Sequence, residues 1–324
     1  MILILSIPND QDTQLVIDWL KFKKKHFFRV NDDDLINGKT QFFYEIGKPN
    51  QAYFLKNNKK LLLQDIDVVW YRKFRFLQSF QKDEPDLKKY MKSEFLVLSK
   101  IIFKLLSKKK WLFDRSKMAS KIEILEKAIE CGLTIPKSAI ISSKKALEQF
   151  EIAHGSNIIS KAMKEGDHIV DKHKFHYSMF TIRIDDLDKV PNSFSPSYIQ
   201  RYAEKEFELR CFYLNKKIWS MAIFSQNNEK TKLDFRNYDR EVPNRTEPYI
   251  LPKEIHKKVI DLMESLGLNT GSIDFIKEKN GDYVFLEVNP SGQFSMTAFP
   301  CNYPLHEEVS NYLSYEDERS KKNR

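Results

Sequence analysis

Glycine is scarce in this chain, with 9 in 324 residues beside 12 prolines, a composition that excludes collagen-like and low-complexity architectures. Its three cysteines, Cys131, Cys211 and Cys301, stand single and far apart, so they form neither a CxxC metal pattern nor a disulfide framework. The apolar opening MILILSIPND is too short to span a membrane and lacks a basic flank and a cleavage site. It reads as a buried first strand, and the expected location is cytoplasmic. Internal repeats are absent as well. What is present is a globular composition, 41% hydrophobic with a mean hydropathy of -0.53, long enough for two or three packed domains. Lys and Arg outnumber Asp and Glu by 54 to 45, giving a formal charge of +9. That excess suits a nucleic acid, an acidic peptide or a polyphosphate. The basic residues fall in short solvated runs, the aromatics sit at core spacing, and no nucleic-acid motif appears, which argues against nucleic acid as partner.

The hydrophobic patterning predicts a mixed α/β (α+β) chain. Strands over 1–7, 27–30, 41–44, 52–55, 61–63 and 67–72 alternate with helices over 13–24 and 84–106, an open α/β layer filling residues 1–115. Ser116 is positioned to cap a helix over 117–131, which Gly132 stops. A strand over 138–141 and a helix over 143–150 follow, and from 157 onward strands dominate: 158–162, 174–184, 197–202, 207–214 and 217–224. Residues 225–247 are polar without periodicity. Pro252 opens a helix ended by Gly267, two strands follow, and a last helix over 304–313 precedes a frayed tail, 316–324. The domain boundaries so read are 1–115, 116–200, 201–315 and the tail.

The most informative segment is 271–292, GSIDFIKEKNGDYVFLEVNPSG. Asn280-Gly281 is a strong two-residue hairpin signal. With that turn, Asp274 falls opposite Glu287, their Cβ atoms roughly 5 Å apart, and Asn289 returns to the same face. Ile273, Phe275, Val284, Leu286 and Val288 take the other, core-facing side. Two opposed carboxylates repel and are costly to bury unpaired, and with an amide they form an oxygen ligand set suited to a hard ion such as Mg²⁺. A solvated surface hairpin is the alternative. Lys161 interrupts an apolar strand and fits a phosphate or a snorkelling strand end. Glu208 and Arg210 share a strand face, so a salt bridge between them competes with separate roles. Arg236 lies in the polar stretch, where it can clamp a carboxylate or acyl phosphate or remain solvated.

Together these residues resemble the ATP-grasp superfamily. The opening MILILS with IDWL, Trp70-Tyr71-Arg72 and the ending DFIKEKNGDYVFLEVNPSGQF are similar to the grasp-with-spasm subgroup of graspetide maturases, which make microviridin-like ω-ester and ω-amide peptides. The resemblance implies an N-terminal open α/β (pre-ATP-grasp) domain followed by central and C-terminal ATP-grasp subdomains with antiparallel sheets. It implies ATP and Mg²⁺ as cofactors, and as partner a precursor peptide with a leader and a Thr/Asp/Glu-rich core. A homodimer is implied too, with no nucleic-acid or membrane partner. By the same resemblance Asp274, Glu287 and Asn289 hold the metal, while Lys121 and Lys161 meet phosphates. The hinge at 198–202, with Gln200, Arg201 and Tyr202, meets the adenine edge through its backbone. Glu208 meets the ribose, and Arg210 and Arg236 act near the γ-phosphate and acyl phosphate. The stretch 175–184 with Phe194 is the expected leader dock. Ser120 stands where the family has Asn before the helix lysine, and the phosphate loop, 164–172, has one glycine, Gly166, with His168 and lysines in its place. An amino-acid ligase of the same superfamily is the alternative within enzymes, and a basic nucleic-acid-binding protein the alternative outside them.

Overall fold

The computed structural model of the chain describes residues 1–74, 85–163, 169–170, 176–177, 181–228, 230–231, 239 and 241–322. Two compact units emerge, one built from residues 1–118, 268–270 and 290–324, the other from 119–267 and 271–289.

In the first unit, β1 (Ile2–Ser6), β2 (Phe27–Asn31), β3 (Val68–Tyr71) and β4 (Lys110–Leu112) form a parallel sheet in the order β2-β1-β3-β4. Ile2, Leu3, Ile4 and Leu5 are all fully buried, as expected of a parallel strand covered on both faces. Helix α1 (Gln11–Phe22) joins β1 to β2 and buries Val16, Ile17 and Leu20, one helical stripe. Helix α2 (Pro85–Leu105) precedes β4, and a small antiparallel meander, Gln41–Phe43, Tyr53–Lys56 and Lys59–Leu62, lies between β2 and β3. The tail is not frayed from 316: one helix runs Leu305–Lys322. Its last turns are tied down because Asp317 is buried and accepts from the Met1 ammonium at 2.6 Å and from Lys321 Nζ at 2.6 Å.

A buried ionic cluster organises the loop after Asn289. Arg72 lies 3.0 Å from Asp10 and 2.5 Å from Asp12, and it donates to the carbonyls of Ser291 and Gly292. Asp12 accepts from the Phe294 and Ser295 amides and meets His306 Nε2 at 3.1 Å. Burial pushes the Asp12 carboxyl up, but the His306 bond, the Arg72 charge and the Ser295 bonds outweigh it and hold it at about 2.

The second unit begins with helix α3 (Lys121–Glu130). Its cap is Ser120, not Ser116: Ser120 and Glu123 form a reciprocal capping box, whereas Ser116 bonds Asp114 in the turn before. Strand β5 (Ser138–Ser143), helix α4 (Lys144–His154), β6 (Ile158–Lys161), β7 (Ile182–Ile184) and β8 (Ser193–Arg201) follow, and the strands form an antiparallel sheet in the order β7-β6-β8-β5. Ile141, Ile158 and Ile199 face Leu147 and Phe150 of α4 as a core. A second sheet has the order β11-β10-β9-β12-β13, from β9 (Lys205–Leu214), β10 (Lys217–Phe224), β11 (Arg245–Tyr249), β12 (Thr270–Glu278) and β13 (Tyr283–Asn289), with α5 (Lys253–Ser265) between β11 and β12. Strand β11 closes the stretch that sequence periodicity leaves unassigned. Among the described residues, no helix is long and apolar enough to cross a membrane.

Two outcomes follow from the buried cluster. Arg72→Met takes the shared guanidinium from two buried carboxylates, so chemical denaturation should show a loss of about 3–5 kcal/mol. Because the folded carboxyl of Asp12 titrates below the unfolded one, its contribution is complete above the ordinary value of about 3.9 and fades as pH falls toward about 2. Asp12→Asn should therefore flatten that acid limb of the stability curve.

Candidate active site

The β12–β13 hairpin has the predicted pairing at the carboxylates but reaches it by another route. Gly281 (φ +99°) closes a three-residue connection in which Glu278 N–H donates to Asp282 O at 2.9 Å, so Lys277 pairs with Tyr283 and Phe275 with Phe285. The expected two-residue Asn280-Gly281 turn is thus lengthened by one residue, Lys279. A bulge at Leu286 restores the count, and Asp274 faces Glu287, Ile273 faces Val288 and Ser272 faces Asn289. The Phe285 amide donates to Thr134 O at 2.8 Å, away from β12. One extra residue inverts side-chain alternation. Phe285 therefore joins Phe275 in the core, both fully buried, while Val284 and Leu286 turn to the carboxylate side and meet Ile276 and Ala203. The expectation of Val284 and Leu286 on the core face is corrected accordingly.

Each carboxylate carries a cation. Arg210 Nη1 bonds both oxygens of Asp274, at 3.1 and 3.0 Å, and Lys121 Nζ bonds Glu287 Oε2 at 2.9 Å. Lys121 is the first residue of α3, where a positive charge opposes the helix dipole, so Glu287 offsets an otherwise unfavourable position. Arg210 Nε is buried with no hydrogen-bond partner among the described residues. The competing Glu208–Arg210 bridge is not how these two residues are used: Glu208 accepts from Lys205 Nζ at 2.7 Å and Ser225 Oγ at 2.6 Å.

These strands and α3 border a cleft lined by Lys121, Lys161, Gln200, Tyr202, Glu208, Asp274 and Glu287 among the sequence-predicted residues. Register explains the wall. Gln200 pairs with Ile159 and Tyr198 with Lys161, and directly opposed residues share a face, so this side of the β6–β8 sheet opposes its core side. Gln200 Nε2 donates to Tyr198 Oη at 2.8 Å and Ser138 Oγ at 3.0 Å. Burial first, and then the charge of Glu208, raises the Tyr202 hydroxyl, and burial likewise raises Tyr198, so both remain neutral donors.

Other candidates stand apart. Arg201 is exposed and pairs with core residue Ile158; its amide donates to Lys137 O and that of Tyr202 to Asn157 O. Asn289 lies on the carboxylate face but does not line the cleft. Arg236 and His168 lie outside the described residues, as do most of the 164–172 loop and, of the expected leader dock, Phe175 and 178–180. Phe194 and Ile184 pack against the α4 core.

The first 119 residues match the family model described as the MvdD pre-ATP grasp domain. Across the whole chain, the structure is similar to macrocyclase MdnC from Microcystis aeruginosa MRC, solved with precursor peptide MdnA (TM-score 0.81, 24% identity, 97% of this chain and 99% of that one). It is also similar to a RiPP-associated ATP-grasp ligase of Chryseobacterium gregarium, in complex with ADP and a leader and core peptide (TM-score 0.84, 23% identity, 97% and 96%). The ATP-grasp ligase PsnB, complexed with a minimal precursor, Mg and ADP, gives a TM-score of 0.76 at 14% identity over 98% of both chains. The fold is ATP-grasp. No curated protein matches the chain in sequence.

Within this fold the cleft-lining residues that sequence reading passes over are Lys205, Thr181 and the apolar Pro136, Ile159, Ala203, Ile276 and Leu286. The signal for Lys205 was a lysine three positions before a strand carboxylate. Of the apolar lining, Leu286 was hidden by the bulge, which periodicity does not reveal.

The Arg210–Asp274 pair is separable from the rest of the core by a double-mutant cycle. Arg210→Met removes the guanidinium from a carboxylate that is 8% exposed and should cost about 3 kcal/mol in denaturant titration. Adding Asp274→Asn should recover much of that loss. Additive losses would mean that the two side chains are uncoupled.

Proposed function

We propose that this protein is an ADP-forming ATP-grasp ligase that activates side-chain carboxylates of a ribosomal precursor peptide and closes ω-ester or ω-amide crosslinks. The observation that carries the reading is the pair of opposed carboxylates, each matched by a cation, at a cleft that also holds Lys161 and Lys205. Such a surface suits a polyanion bound with a hard metal ion.

The donor set fits magnesium. Among the described residues, no three His, Cys, Asp or Glu side chains converge, so the protein would supply Asp274, Glu287 and the Asn289 amide, with phosphate oxygens completing the shell. When bound, the metal neutralises phosphate charge. Lys121, Lys161 and Arg210 are the side chains available to the triphosphate, and the unmatched Arg210 Nε is a further donor for a phosphate oxygen. Gln200 and Tyr202 border the base, with the apolar patch of Ile159, Ala203, Ile276 and Leu286 to hold its ring, and Glu208 takes the sugar hydroxyls. Arg236 is assigned to the acyl phosphate by resemblance. A peptide carboxylate attacks the γ-phosphorus, breaking its bond to the β-phosphate oxygen and giving an acyl phosphate and ADP. A Ser or Thr hydroxyl, or a lysine amine, then attacks the acyl carbon, phosphate leaves, and a proton passes to solvent. Positioning and charge stabilisation supply the catalysis. In this reading the β5–β8 sheet belongs to the central grasping subdomain and the β9–β13 sheet to the C-terminal one. A homodimer and a cytoplasmic location, where ATP is available, complete it.

Incubation with Mg·ATP and an acidic, Thr-containing precursor should release ADP and phosphate and remove the mass of one water per ring. An added residue on the acceptor would instead indicate an amino-acid ligase, and salt-sensitive nucleic-acid binding without ATP turnover would contradict both. Glu287→Gln and Lys161→Met should each lower turnover on the order of a hundredfold, whereas full turnover by Glu287→Gln would refute the metal assignment.

A further inference from the structure

Glu208 is held from two sides. Lys205, at the start of β9, is 2% exposed and places Nζ 2.7 Å from Oε1, while Ser225, fully buried just past the end of β10, donates to Oε2 at 2.6 Å. The β9–β10 pairing sets Glu208 opposite Ile223, which brings residue 225 within reach of the carboxylate. Ser225 is itself secured, since Gln226 Nε2 bonds its hydroxyl and Thr231 Oγ1 donates to its carbonyl, each at 3.3 Å. Both Lys205 and Glu208 line the cleft.

A buried ion pair of this kind roughly breaks even against a hydrophobic pair of similar volume. Fold stability alone therefore gives little reason to place one here. A cleft wall that must present a carboxylate gives a direct reason. Without Lys205, Glu208 would lose the cation that both compensates its charge and fixes Oε1, in a cleft where Asp274 and Glu287 are matched by Arg210 and Lys121. With it, the carboxylate keeps its acceptor character while its charge is cancelled within the wall.

We propose that Lys205 and Ser225 are positioning residues that fix the Glu208 carboxylate as acceptor for the hydroxyls of the nucleotide sugar, and so set a preference for ribonucleotides over deoxyribonucleotides. This rests on the ligase reading above. Lys205 acts through Glu208, and the nucleotide meets the carboxylate, not the ammonium.

The test is calorimetric titration of the full chain with Mg·ATP, Mg·2′-deoxy-ATP and Mg·3′-deoxy-ATP. Wild type should bind ATP about tenfold or more tighter than either analogue, the scale of one lost hydrogen bond to a charged group. Lys205→Met and Ser225→Ala should weaken ATP about tenfold while barely changing the deoxy analogues, so the preference falls toward unity; Lys205→Arg should retain part of it. The double variant Lys205→Met/Glu208→Gln should bind ATP no more weakly than Glu208→Gln alone. If Lys205→Met does not fold, as judged by its melting curve, Ser225→Ala decides, because it keeps the ion pair. An unchanged sugar preference in Lys205→Met or Ser225→Ala overturns the proposal and leaves the ligase reading standing. So do multiplying losses in the double variant, which would mean that the lysine touches the nucleotide. A wild type that binds no nucleotide overturns both.

Discussion

Opposition of Asp274 and Glu287 across one hairpin is the constraint on which this site depends. Like charges facing each other in a half-buried ladder repel, and the chain meets that cost with a cation for each, Arg210 from β9 and Lys121 from α3. Those demands fix much else. Strand β9 must neighbour β12 to deliver Arg210. Helix α3 must begin, and not end, near Glu287, and the Ser120–Glu123 capping box defines that beginning.

Charge balance around the cleft follows the same logic. Lys121, Lys161, Lys205 and Arg210 stand against Asp274, Glu287 and Glu208, four cations to three carboxylates among the described residues. Each of these carboxylates has a counterion. The two sheets share the work differently. The β6–β8 sheet offers one lysine, amide and hydroxyl groups and an isoleucine, a surface for a flat polar ring. The β9–β13 sheet carries most of the charge. This division matches the proposed reading, in which base, sugar and phosphates require successively more polar surroundings.

Much of the fold was legible because it rests on local rules. The all-apolar β1, the helix stripe of α1, the stop at Gly132 and the pairing of Asp274 with Glu287 each follow from periodicity or turn chemistry. The misses have physical causes. Ser116 and Ser120 are both plausible caps, and only the glutamate three residues after Ser120 separates them. The C-terminal helix outlasts its own amphipathic pattern because Asp317 is anchored by the chain's first residue, a partner 316 positions away. The bulge at Leu286 exists because the Phe285 amide bonds Thr134, a tertiary contact no short window contains. The extra turn residue and the bulge cancel at the carboxylates, so the site register was correct although the hairpin that reaches it was not. Lys205 escaped notice because its significance lies in burial and in Ser225, twenty residues on.

The central claim is that the opposed carboxylates and their cations are a seat for a metal–nucleotide complex. Anomalous diffraction from crystals grown with Mn²⁺ and a non-hydrolysable ATP analogue tests it directly. The account predicts manganese density on Asp274 and Glu287, with the triphosphate against Lys121, Lys161 and Arg210. Manganese and nucleotide bound elsewhere, with Asp274 still paired to Arg210 and Glu287 to Lys121, would contradict it.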